Sequence, residues 1–198
     1  MSLSQKAWTR VSMHHAVLAW LRAERGTNVA LALGQFPEML WASGLSQLLD
    51  HPDLNNPEEN RARLRIMYVI RNVFVLEIPP DTEWFEVRNL NDAELSELHT
   101  VNHADWNDLA DQNELRKVAA RKPIQLSALP SNWETPILWG HDINGPFTIV
   151  EGNNRLTAYA GSGQSGLDIP VLVGLSAMRC HWHLLDSAPL LIYDLIVR

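Results

Sequence analysis

The 198-residue chain has almost no cysteine: Cys180 stands alone. A lone cysteine excludes an internal disulfide and makes the cytoplasm the expected compartment. Long hydrophobic runs are missing too. No apolar stretch approaches the roughly 18 residues that a membrane-spanning helix requires, so no membrane insertion is expected. The opening "MSLSQKAWTR" has neither the basic nor the apolar part of a signal peptide. Basic charge is in deficit, with 16 Lys and Arg against 23 Asp and Glu and a net charge of −7. That balance argues against wholesale binding of DNA phosphates but leaves room for a local basic patch. Repeats and low-complexity segments are absent, and "GSGQSG" at 161–166 reads as a short loop.

What is present fits one sizeable core. The hydrophobic fraction of 46% and charged fraction of 20% are those of a soluble globular protein rather than a disordered one. Eight tryptophans are enough to fill a core and leave rings for a ligand or partner surface.

The first 75 or so positions read as mainly helical. Trp8, Val11, Val17, Leu18 and Leu21 recur at helical spacing over 4–25, with Gly26 as the stop. "FPEMLWASGLSQLLD" gives a second helix with Pro37 in its first turn. In "NNPEENRARLRIMYVIRN", Asn56 is the N-cap, Pro57 the first helical residue, and Glu58 and Glu59 favour the positive helix end. Where this helix yields to a strand in "NVFVLEIP" is open. "EWFEVRNL" at 83–90 predicts a strand, and "NDAELSELHTVN" a helix capped by Asn91. "DWNDLADQNELRKVAAR" predicts a further helix, acidic early and basic late as its dipole prefers.

Past 136 the pattern changes. "PILWG" and "PFTIVE" predict strands joined by "HDING", where Asn144-Gly145 is a strong hairpin signal. "NRLTAYAGSG" predicts a helix, and the unbroken apolar run of "IPVLVGLS" a strand buried on both faces. The tail "APLLIYDLIVR" reads equally as strand or helix.

The stretch "IVEGNNRLTAYA" carries the chemistry. A strand that runs through a glycine into a helix makes an anion site, because the first helical N–H groups lack partners and carry the positive end of the dipole. Gly152, Asn153, Asn154 and Arg155 are the candidate phosphate ligands. Glu151 could orient Arg155, hold a divalent metal or act as a base. His141, in the hairpin, would serve as an acid/base or phosphate contact if the hairpin folds over the turn. The alternative is an ordinary strand-to-helix turn with an Asn cap and a surface Arg.

In order and spacing, "PILW", hairpin, Gly152-x-x-Arg155-x-x-Ala158, helix and Ile169-Pro170-Val171 resemble the core of the ParB/sulfiredoxin superfamily. The resemblance covers 136–176 and reaches back towards 84–88. It implies an α+β fold, a mixed sheet of the ParB/sulfiredoxin-like kind with a mainly helical N-terminal elaboration. Residues 1–78 would form the helical region and 79–198 the core. Departures narrow the activity. Asn153 stands where sulfiredoxin chemistry needs a nucleophilic cysteine. Asn154 replaces the second arginine of the chromosome-partitioning members, and no helix-turn-helix domain follows the "PVLV" strand. The E-N-x-x-R stretch Glu59-Asn60-Arg61-Ala62-Arg63 precedes the motif rather than following it and is read as coincidence.

In size and in its acidic residue before the glycine, the chain resembles the stand-alone fertility-inhibition proteins of conjugative plasmids, the oncogenic-suppression type. These hydrolyse ATP, cut DNA and block transfer of a competing plasmid's DNA. The resemblance therefore implies a nucleotide hydrolase or nuclease with ATP or another NTP as ligand. Mg²⁺ would be held by Glu151, with DNA or a protein of a DNA-transfer system as further partners. Two alternatives stay open: a non-catalytic partner-binding module with a vestigial phosphate site, and a nucleotide-gated switch.

Other clusters read as structural. His99 and His103 would share a helix face, His181 and His183 one face of a strand near Asp186, and Arg61, Arg63 and Arg65 a solvated helix surface.

Overall fold

Alternate side chains of the central strands feed two separate cores. Ile137, Trp139, Val150 and Leu172 enter one, while Leu138, Ile149, Val171 and Val173 enter the other. This period of two, with both faces buried, is why these segments form interior strands. The computed structural model describes residues 3–25, 44–88, 90–100, 114–121, 123–125, 127, 134–163, 170–178 and 180. Within them the strands are β1 Thr9–Val11, β2 Glu83–Val87, β3 Leu98–Thr100, β4 Ile137–Gly140, β5 Phe147–Glu151 and β6 Val171–Leu175. The helices are α1 Met13–Ala23, α2 Gly44–Leu49, α3 Pro57–Glu77, α4 Asp92–Ser96, α5 Leu115–Arg121 and α6 Asn153–Gly161.

The strands make one mixed sheet in the order β1-β2-β6-β4-β5-β3, so the architecture is α+β. β6 pairs antiparallel with β2 and parallel with β4, and β5 pairs antiparallel with β4 and parallel with β3. Residues from α1 and α3, among them Trp20, Ile66 and Met67, fill the first core. Leu95 of α4, Leu115 of α5 and Leu156 and Tyr159 of α6 fill the second. Gly174 lies between Trp84 and Trp139 on the neighbouring strands, and a Cβ there would come within 3.0 Å of both indoles. The two rings meet edge to face, 6.5 Å apart, across that missing side chain.

Local start signals act as their chemistry dictates. Asn56 Oδ1 accepts from the N–H groups of Glu58 and Glu59 at 3.0 and 3.3 Å and starts α3 at Pro57. Asn91 and Glu94 close a capping box at α4.

Three segments differ from expectation. Thr9–Val11 is an edge strand on β2, not the start of a helix, and α1 begins only at Met13. The segment after Asn72 does not become a strand; α3 continues to Glu77 past a break at Arg71 (φ −147°, ψ 57°). The helix at Asn91 ends at Ser96, and Leu98–Thr100 becomes β3, because Leu98 and Thr100 bury themselves beside β5. At Thr9–Val11 and Leu98–Thr100 pairing with distant residues overrides local periodicity. No described helix is long and apolar enough to cross a membrane. The segments around Gly26 and Pro37, residues 105–113, Ile169, and the tail from His181 lie outside the described residues.

Candidate functional site

β5 is buried as far as Val150, and Glu151 ends the strand. Gly152 follows in the left-handed region at φ 93°, ψ 17°. A Cβ there would also sit 3.1 Å from Pro136 Cβ, so both the dihedral and the close approach call for glycine. The first main-chain bond of α6 runs from Leu156 N to Gly152 O at 2.9 Å. The N–H groups of Asn154 and Arg155 therefore precede the helical ladder, and glycine supplies no side-chain cap.

Arg155 and Glu151 are four apart and meet across this turn. Arg155 Nη2 donates to Glu151 Oε1 at 2.8 Å, and Nη1 donates to the Glu134 carbonyl at 3.0 Å. The two side chains are 12% and 22% exposed, respectively. Burial raises the Glu151 pKa above its ordinary value. Arg155 opposes the rise, the Glu24 carboxylate adds to it, and the Gly152 N–H and Arg71 oppose it more weakly. The result is a carboxyl that holds its proton more readily than a surface glutamate.

The asparagines divide. Asn153 turns its Nδ2 back to the Ile149 carbonyl at 3.1 Å, tying the helix start to β5, whereas Asn154 is exposed. His141 is not brought to the turn. Ile137 pairs with Glu151 at one end of the β4–β5 ladder, and His141 lies beyond the other end, ~13 Å along the strand. There its Nδ1 donates to the Ser176 carbonyl at 2.9 Å, fastening the hairpin to the chain after β6. The hairpin points away from the turn because β4 and β5 stay paired along their length.

The other clusters resolve structurally. The E-N-x-x-R stretch closes on itself: fully buried Arg63 donates to Glu59, to Asn60 Oδ1 and to the carbonyls of Leu48 and Asp53. Arg63 thus leaves the solvated face on which Arg61 and Arg65 remain. His99 lies on β3, not on a helix. Burial lowers its pKa against the pull of Glu114, and His103 lies outside the described residues.

Two residues absent from the sequence-based candidates act on this turn. Glu24, the C-cap of α1, forms an ion pair with Arg71 at the α3 break, and both act electrostatically on Glu151. Each left a weak trace in the sequence: an acid at a helix C-terminus opposes the dipole, and Arg71 interrupts an apolar run.

Among the described residues no group of three or more His, Cys, Asp or Glu is placed to hold a metal ion, and one oxygen of Glu151 is taken by Arg155. A magnesium ion held by one carboxylate and by substrate phosphates needs no such group. What the turn offers is an uncapped helix end, a guanidinium and a carboxyl with a raised pKa. Compared with protein-family models, with curated proteins and with solved structures, the chain matches none.

Proposed function

We propose that residues 151–155 bind the phosphate of a nucleotide or of DNA and that the chain hydrolyses it. The supporting observation is the Glu151–Arg155 pair at a helix N-terminus that has no side-chain cap. A phosphate oxygen competes for Arg155, and the N–H groups of Asn154 and Arg155 add neutral donors aligned with the dipole. Displacing the guanidinium removes the cation that holds down the Glu151 pKa, so the freed carboxylate becomes a better base. Water then transfers its proton to Glu151 as its oxygen bonds to phosphorus, and the leaving oxygen departs with the electron pair of the broken P–O bond.

Arg155→Ala is expected to abolish binding of ATP measured by calorimetry. Glu151→Gln is expected to keep binding and lose phosphate release, with magnesium present or absent. An affinity unchanged by Arg155→Ala would sink the assignment.

A second reading, the partner-binding module, draws on exposed apolar side chains of α3. Tyr68 and Val69, before the break at Arg71, are 50% and 38% exposed, and Leu76, after it, is 63% exposed. Failure to bind either nucleotide or plasmid DNA favours that reading.

A further inference from the structure

One stripe of α3 serves neither core. Ile66 and Met67 lie in the first core and Arg63 is fully buried, whereas Arg61, Arg65, Tyr68 and Val69 stay exposed. Those four follow one another at steps of four, three and one, which sets them along one side of the helix over about 12 Å. A hollow of about 240 Å³ lies where Gln47 and Leu48 of α2 meet Arg61, Ala62 and Arg65. A second, of about 360 Å³, shares Arg61 and Arg65 and continues past Leu64 to Tyr68 and Val69. Together they make one shallow groove, lined mostly by apolar atoms, with two arginines common to both parts.

Charge decides what fits there. Arg61 pairs with Glu58 at 2.9 Å, but the two side chains are 58% and 75% exposed, so the pair is weak and yields to another carboxylate. Arg65 is exposed and has no ion pair among the described residues. We infer that this groove docks an acidic amphipathic helix of a partner protein, with its apolar side against Leu64, Tyr68 and Val69 and its carboxylates on Arg61 and Arg65. Tyrosine and arginine are the side chains that most often anchor interfaces, and a helix laid in a groove meets them at this spacing. A second copy of the chain fits less well. Antiparallel α3 helices crossing at the middle of the stripe would set Arg65 against Arg65, and each copy carries a net charge of −7. Nucleic acid also fits less well, because Glu58 and Glu59 line the same groove. The inference rests on the partner-binding reading, to which it adds the partner's chemistry, and it is independent of phosphate binding at residues 151–155.

Fluorescence anisotropy with three designed helical peptides, each of about 18 residues, tests this. They share leucines at i, i+3, i+4 and i+7 and differ only in their flanking residues, which are glutamate, glutamine or lysine. The full chain is expected to bind the glutamate peptide about tenfold more tightly than the lysine peptide. Arg65→Glu should reverse that order, an effect that a merely structural defect would not produce. Tyr68→Ser should weaken the glutamate peptide about tenfold. Both positions are exposed, so both variants are expected to fold, with circular dichroism as the check. Equal affinity for the three peptides overturns the inference. If the glutamate peptide binds and neither substitution alters its affinity, the groove is not the dock; the inference falls and the partner-binding reading stands. If no peptide binds, both fall. Self-association in sedimentation that Tyr68→Ser abolishes would make the occupant a second copy, and competition by oligothymidylate would make it nucleic acid; either result overturns the inference. ATP binding should be the same in both variants as in wild type, so the phosphate site is tested separately.

Discussion

At Gly152 a positive φ and a 3.1 Å approach to Pro136 coincide at one position. Gly152→Ala is expected to cost about 1–2 kcal/mol from the left-handed dihedral alone. Relief of the Pro136 contact would shift the start of α6. Urea denaturation should record the loss, and phosphate affinity should fall with it if the helix end is the anion site. The pairing of Glu151 with Arg155 could be read from sequence, because the two lie four apart with the helix start between them. The pairing of Glu24 with Arg71 could not. It spans 47 residues and depends on where α3 breaks, which no local pattern reveals.

The same contrast governs whole elements. Asn91 caps α4 through Glu94, and that chemistry is complete within four residues, so the helix start was legible. Its end was not, since Leu98–Thr100 turns to strand only because β5 lies beside it. Thr9–Val11 behaves likewise: its apolar spacing suits a helix, but pairing with β2, more than 70 positions on, decides its state. Asn91→Ala should remove the side-chain half of the capping box, the bond from the Glu94 N–H to Asn91 Oδ1, and cost about 1 kcal/mol in thermal or chemical denaturation. Because α4 is five residues long and leads directly into β3, hydrogen exchange at Leu98–Thr100 should rise in that variant.

For the whole molecule, the raised pKa of Glu151 makes the site a source of instability at neutral pH. The folded chain holds this proton more tightly than the unfolded one. The stability it contributes is therefore full below the ordinary carboxylate value of 4.5 and is lost as pH rises through the folded-state value. Glu114 works in the opposite sense: its hydrogen bond from Lys117 lowers its pKa, so its contribution is lost as pH falls. Glu151→Gln is expected to raise the melting temperature at pH 7, and the gap over wild type should close on acidification towards 4.5. A gap that widens on acidification would contradict the burial argument. The sheet carries a different consequence, for synthesis. β1-β2 and β4-β5-β3 touch within the sheet only through β6. A ribosome releases β6 after every other described strand, so two part-sheets wait with β2 and β4 open to the wrong neighbours. Until residues 171–175 emerge and insert between them, the nascent chain depends on whatever shields those edges.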